Sequence, residues 1–206
     1  TLLEPAARSP RDGGQLSPHG SSMHGIIHSE LNGYVTSALG TDGWREVAQR
    51  AGVSETDYVS RQSYPDADVP AIVAAASMLS GQPAAALLRA FGAYLAPTLL
   101  SVYRPFVKSQ WRTLDLIEQT ESTMHRAVRL RDPGAAPPML SVRRVSPHEV
   151  LVDYRSARRL CEVAEGIITG VAAHYGERVD ISQSECMLRG DERCAIAVTL
   201  AVAPAP

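Results

Sequence analysis

The sequence predicts an α+β fold: an N-terminal helical lobe followed by a small antiparallel sheet with a helix packed on it. Three observations carry this. Apolar residues recur at helical spacing through most of residues 23–130. The run Asp132-Pro133-Gly134-Ala135-Ala136-Pro137-Pro138 then ends helical patterning, because two of its prolines lie side by side and its glycine is a strong breaker. Beyond it the chain alternates apolar and polar residues in two pairs of stretches, with one more helical stretch between them.

Taken in order, residues 1–22 are rich in Pro, Gly, Ser and Arg and read as a flexible leader or expression remnant. The domain is expected over 23–200, with 201–206 as a tail. Ile26, Ile27, Leu31, Tyr34, Val35 and Leu39 form the first helical stripe, closed by Gly40. Thr41 or Asp42 can cap a second helix that ends at Ala51-Gly52, and 54–68 reads as turns and connector. A helix from Asp68 fits Val69, Ile72, Val73, Ala76 and Leu79 and stops at Ser80-Gly81. Pro83 opens a long apolar helix through Leu87, Leu88, Phe91, Tyr94 and Leu95, which Pro97 should break or kink. Leu99–Lys108 fits no single pattern.

Leu114–Leu130 is amphipathic, with Leu114, Ile117, Glu121, Met124 and Val128 on one stripe and His125 beside it. Leu140–Val145 and Glu149–Tyr154 alternate around Ser146-Pro147, a hairpin. A helix from about Ala157 to His174, with Gly176 as its cap, precedes a second hairpin. Its arms are Val179–Cys186 and Cys194–Leu200.

Composition narrows the function. The chain has 206 residues, 45% hydrophobic and 20% charged, enough for one real core. A net charge of −2 and no Lys/Arg-rich face argue against nucleic-acid binding. No apolar stretch is read as approaching the roughly 20 residues that span a bilayer, and no signal peptide is evident. Three cysteines make no disulfide framework, which points to a reducing cytoplasm. No phosphate loop, Gly-x-Ser-x-Gly or His-Glu-x-x-His occurs, so an enzyme is not expected.

Chemistry concentrates late in the chain. Tyr154, Ser156 and Arg158 are spaced two and two, so an extended segment aims a phenol, a hydroxyl and a guanidinium at one spot. That trio can receive two carboxylates, because arginine offers a planar fork and each hydroxyl adds a donor. On its own the string also fits a polar strand-to-helix junction. His125 likewise fits an ordinary half-buried residue or an iron ligand. A neutral imidazole on a rigid helix is the common proximal ligand of haem, and haem needs cationic or hydroxyl partners for its propionates.

Four stretches together resemble the haem-nitric oxide/oxygen-binding (H-NOX) family, the sensor module also found in soluble guanylate cyclase. They are Met23-His-Gly-Ile-Ile27, Phe91-Gly-Ala-Tyr94, Met124-His125-Arg-Ala-Val128 and Asp153-Tyr154-Arg-Ser156-Ala-Arg158, with Glu165-Gly166-Ile167-Ile168 following. The resemblance implies haem b buried between the lobes. It implies His125 on the iron, Tyr154, Ser156 and Arg158 on the propionates, and Pro138 pressed against the porphyrin. It also implies Ile27, Leu31, Leu95, Val163 and Ile167 lining the pocket.

Oxygen-binding members place a tyrosine where this chain has Val163, which cannot donate a hydrogen bond. The implied ligand is therefore nitric oxide, and the implied output is a conformational signal to a separate protein such as a histidine kinase or cyclase. No membrane or nucleic-acid partner is implied. Two alternatives stand: an oxygen-binding member using Tyr94 as distal donor, or a haem-free small-ligand module that closes with a Cys-bearing hairpin; carbon monoxide is a further candidate ligand. Cys186 and Cys194 face each other across that hairpin and read as two buried thiols, a redox pair, or half a zinc site with Cys161 or a histidine as further ligand.

Overall fold

In the computed structural model, residues 22–54, 58–132 and 135–201 are described. The expected leader, 1–22, lies outside them except for Ser22. Strand β1 (Ser22–His24) pairs antiparallel with β2 (Ser63–Pro65), Met23 facing Tyr64. Neither strand was expected: three residues each are too short for an alternation to register. Gly25 lets the chain turn from β1 into helix α1 (Gly25–Ala51). A Cβ there would sit 2.2 Å from the Val59 carbonyl oxygen, and its N–H donates to Gln62 O at 2.6 Å.

The two helices expected on either side of Gly40 are present within the span of α1: Gly40, with φ 76° and ψ 173°, is non-helical and separates them in a conformation that suits glycine and little else. Gly52 and Gly81, both left-handed, end α1 and α2 (Asp68–Ser80). Helix α3 (Ala84–Val102) continues through Pro97 instead of stopping there. Pro97 is exposed, whereas Phe91, Leu95 and Ala96 on the inner side are fully buried, so core packing outweighs the hydrogen bond the proline forgoes. At 19 residues α3 is also long and apolar enough to cross a membrane by length and composition, which the sequence reading did not allow for.

A short 3₁₀ turn (Arg104–Phe106) leads to helix α4 (Thr113–Thr120), a π turn (Glu121–His125) and helix α5 (Arg126–Arg131), the rod expected over 114–130. Strands β3 (Met139–Ser146), β4 (Glu149–Arg155), β5 (Val179–Glu185) and β6 (Cys194–Leu200) make one antiparallel sheet, ordered β3-β4-β6-β5. Helix α6 (Cys161–His174) lies against it, completing the expected α+β arrangement.

Helix α6 starts at Cys161 and not Ala157. Arg159 has φ 51°, and that left-handed residue breaks the helical path first. Gly92 and Ala96 of α3 meet Gly166 and Gly170 of α6 so closely that a Cβ on Gly166 would lie 2.0 Å from the Arg89 carbonyl oxygen. This seam joins the helical core around Leu31, Phe91 and Leu95 to the sheet core around Val150, Tyr154 and Ile196.

Candidate functional site

The π turn presents His125. A π turn widens the helix by one residue and re-aims the side chains on it, and such turns gather at functional sites. The His125 side chain is 16% exposed, and its Nδ1 lies 2.9 Å from Glu121 Oε2. A carboxylate can only accept, so Nδ1 carries the proton and Nε2 is left as the ring's lone-pair donor.

Glu121 is held in turn by Arg129 and by the Leu140 N–H at 3.2 Å. Burial pushes the Glu121 carboxyl up, but the bonds from His125, Arg129 and Leu140 together bring it below its ordinary value. Burial pushes His125 below its ordinary value, against the pull of Glu121 and a smaller pull from the Pro138 backbone carbonyl. Pro138 therefore stands beside His125.

The trio lies where β4 ends. Val150, Val152 and Tyr154 point inward along β4, and the alternation carries on past the strand to Ser156 and Arg158. Tyr154 is 2% exposed. Burial raises its phenol to about 12, while the Ser156 side chain and the Leu160 backbone hydrogen-bond to it. The Arg158 N–H donates to Ser156 Oγ at 3.2 Å.

The Arg158 guanidinium donates to the carbonyls of Ala136 and, at 2.8 Å, Ser22. Its Nε sits 2.8 Å from Asp66 Oδ2, an ion pair too bent to count as a hydrogen bond, and Asp66 Oδ1 is buried with no hydrogen-bond partner. Segment 136–138 thus touches Arg158 at one end and His125 at the other. Leu140, just beyond it, pairs with Tyr154 and also reaches Glu121. The histidine and the trio, about thirty residues apart in sequence, belong to one connected site.

Ile27, Leu31, Leu95, Val163 and Ile167 all fall in one apolar cluster with Phe91, and Ile167 also packs against the cluster of Met124, the residue before His125. Tyr94 lies elsewhere. It is 41% exposed, and its hydroxyl approaches Gly33 on α1. Glu121 and Asp66 were missed as site residues. The i,i+4 spacing of Glu121 and His125 was a readable signal; the approach of Asp66 to Arg158 across 92 positions was not.

The three cysteines also converge: Cys161, Cys186 and Cys194 are buried, with their Sγ atoms within 4.8 Å of one another. Burial raises the Cys161 and Cys194 thiols. Cys161 opens α6 five residues after Ser156, so the thiols back directly onto Tyr154.

An imidazole with a free Nε2 and a carboxylate behind it suits iron, and ligating histidines characteristically use their other nitrogen in this way. A buried phenol, a hydroxyl and a guanidinium whose Nε lacks a hydrogen bond suit acidic side chains of a ligand. The donor set fits haem, and the fold with this site defines a cofactor-binding module of the α+β class. The chain belongs to the haem-NO-binding family, whose model, described as "Haem-NO-binding", matches residues 24–183. These are haem-based gas sensors and not enzymes.

The chain is 26% identical to an H-NOX protein from Shewanella oneidensis solved in its Fe(II)NO state, covering 87% of this chain and 100% of that one with a TM-score of 0.80. An unliganded Fe(II) H-NOX protein from K. algicida, 16% identical, shares the fold with a TM-score of 0.79. Soluble guanylate cyclase 89Da of Drosophila melanogaster is 23% identical over 155 residues, and this chain spans 23% of its length.

Proposed function

We propose that residues 23–200 form a cytoplasmic sensor of nitric oxide that signals by a change of shape to a separate protein such as a histidine kinase or a cyclase. The observation that carries this reading is the His125–Glu121 pair on a π turn, connected through 136–140 to Tyr154, Ser156 and Arg158. Haem b, held by His125 at the iron and by that trio at the propionates, with Pro138 against the ring, would supply a ferrous centre that takes up a diatomic gas.

The chain's own part is orientation and exclusion. Glu121 keeps Nε2 free of a proton and fixes the ring plane. Ile27, Leu31, Leu95, Val163 and Ile167 keep the gas side apolar and offer no side-chain donor. A gas that needs a hydrogen bond to stay bound, such as oxygen, finds none there, whereas nitric oxide needs none. The exposure of Tyr94 weighs against its serving as that donor. The two ends of the proposed signal are the π turn, whose single widened turn can relax to α-helix, and Arg158, which ties Ser22 and Asp66 of the helical lobe to the sheet.

The test is the ultraviolet-visible spectrum of the ferrous protein alone, in air, and with nitric oxide or carbon monoxide. A Soret band that shifts with nitric oxide and carbon monoxide but not with air is expected, and His125→Ala should abolish the five-coordinate ferrous form. A stable oxygenated spectrum would overturn the nitric oxide assignment. A colourless protein after expression with ample haem would overturn the whole reading in favour of a haem-free module.

A further inference from the structure

Helix α1 carries a buried histidine that the site above does not use. His28 is 0% exposed. Its Nε2 donates to the Pro65 carbonyl at 3.2 Å, since a carbonyl can only accept. Its Nδ1 is buried with no hydrogen-bond partner among the described residues. The ring packs 5.0 Å from Tyr58 and 5.3 Å from Tyr64, centroid to centroid.

A phenyl ring would fill this space without stranding a nitrogen, and a stranded buried nitrogen is unfavourable. What imidazole adds over phenyl is the bond to Pro65. That bond is well placed: Pro65 ends β2, Asp66 is the next residue, and Asp66 meets Arg158.

We propose that His28 is a positioning residue for the Arg158 clasp, acting by pinning Pro65 so that Asp66 reaches the guanidinium. What the clasp holds rests on the proposed function; the pinning itself involves only this chain's residues. His28 thereby joins helix α1, which carries Ile27 and Leu31 of the apolar cluster, to the end of β4. The groups facing its ring are Asp66 and Asp68 on the segment entering α2, the phenols of Tyr58 and Tyr64, and the backbone carbonyls of Pro65 and His24. Burial holds the imidazole below its ordinary value of 6.5, with those carbonyls and carboxylates pulling the other way. The neutral form is thus the one that fits. The bond to Pro65 survives protonation at Nδ1, but a charged ring is costly to bury, so the stability of this pinned arrangement is complete above about pH 6.5 and falls as pH drops through the lowered value.

The experiment compares wild type with His28→Phe and His28→Gln, and Asp66→Asn with and without His28→Phe. Two readouts are taken: amide hydrogen exchange at Met23 and Tyr64, the centre of the β1–β2 pair, and the rate of haem transfer to an apomyoglobin acceptor. The loss of one hydrogen bond predicts about fivefold faster exchange and about fivefold faster transfer in His28→Phe. Smaller changes are expected in His28→Gln, which keeps a donor, and no further change in transfer when His28→Phe is added to Asp66→Asn. Exchange in wild type, corrected for its intrinsic rate, should quicken below about pH 6.5, and His28→Phe should lack that rise. Unchanged rates in His28→Phe, or a full additive effect on the Asp66→Asn background, would overturn the proposal. If no form takes up haem, the proposed function fails, while amide exchange and its pH profile still decide the role of His28.

Discussion

Glu121 offers the sharpest single perturbation. One carboxylate receives the His125 Nδ1 proton at 2.9 Å, the Leu140 N–H at 3.2 Å, and Arg129. Glu121→Ala therefore leaves three donors without an acceptor. A buried donor left unpaired costs about 1–3 kcal/mol. The Glu121 side chain is 30% exposed, so water can partly replace it, and about 1–2 kcal/mol is expected for the apoprotein.

The effect on the cofactor is separate and larger. Losing the group that orients a ligating histidine lowers metal affinity about 10–100-fold. Glu121→Ala should fall near the upper figure. Glu121→Gln keeps a neutral acceptor for Nδ1 and should fall near the lower one. The assay is competitive haem titration of each variant, paired with thermal melts of the apoprotein so that lost stability is not mistaken for lost affinity. If Glu121→Ala binds haem within twofold of wild type while its melting temperature drops, the carboxylate only braces the π turn, and the assignment of Nε2 as the iron-facing atom loses its basis.

Three further outcomes follow from the same geometry. Gly166→Ala would drive a methyl to 2.0 Å from the Arg89 carbonyl oxygen, so the α3–α6 seam must open; a loss of about 1–3 kcal/mol or more in denaturant unfolding is expected, and a change under 0.5 kcal/mol would contradict the packing. Because the Tyr154 phenol is raised to about 12, stability should fall as pH rises from about 10 to 12, where unfolded chains ionise their tyrosine and the folded one does not; Tyr154→Phe should flatten that part of the profile. Cys161 and Cys194 are buried with raised thiols, so with a chelator present at pH 7.5 labelling by a thiol reagent should be at least tenfold slower than for an unfolded control, and rapid labelling of the native protein would refute their burial.

How legible this protein was depended on how local each feature's cause is. The rod carrying His125 follows from apolar spacing alone. The sheet hairpins follow from alternation, and their registers put Tyr154 opposite Leu140 as that alternation requires. What escaped was set by contacts between distant residues. Proline 97 reads as a break because propensity acts on each helix separately, but burial of Phe91, Leu95 and Ala96 against α6 and the helical core overrides it. Strands β1 and β2 pair where Gly25 has no side chain: a Cβ there would lie 2.2 Å from the Val59 carbonyl oxygen, a closeness that no neighbouring residue announces.

The candidate site divides along the same line. The members that touch a ligand by resemblance are residues with distinctive side chains at fixed short spacing, and those were readable. The members that hold them in place, Glu121, Asp66 and His28, act through one hydrogen bond or ion pair each, two of them across more than thirty residues. Such partners leave no periodic trace. A search for acids four residues from a candidate histidine on a helix would have found Glu121. For Asp66 and His28 the determining fact is that β2 returns to the start of α1, which sets Pro65 opposite Ser22 and against His28, and Asp66 beside Arg158. The orientation of the site is therefore a property of the β1–β2 pair as much as of the motif at the end of β4.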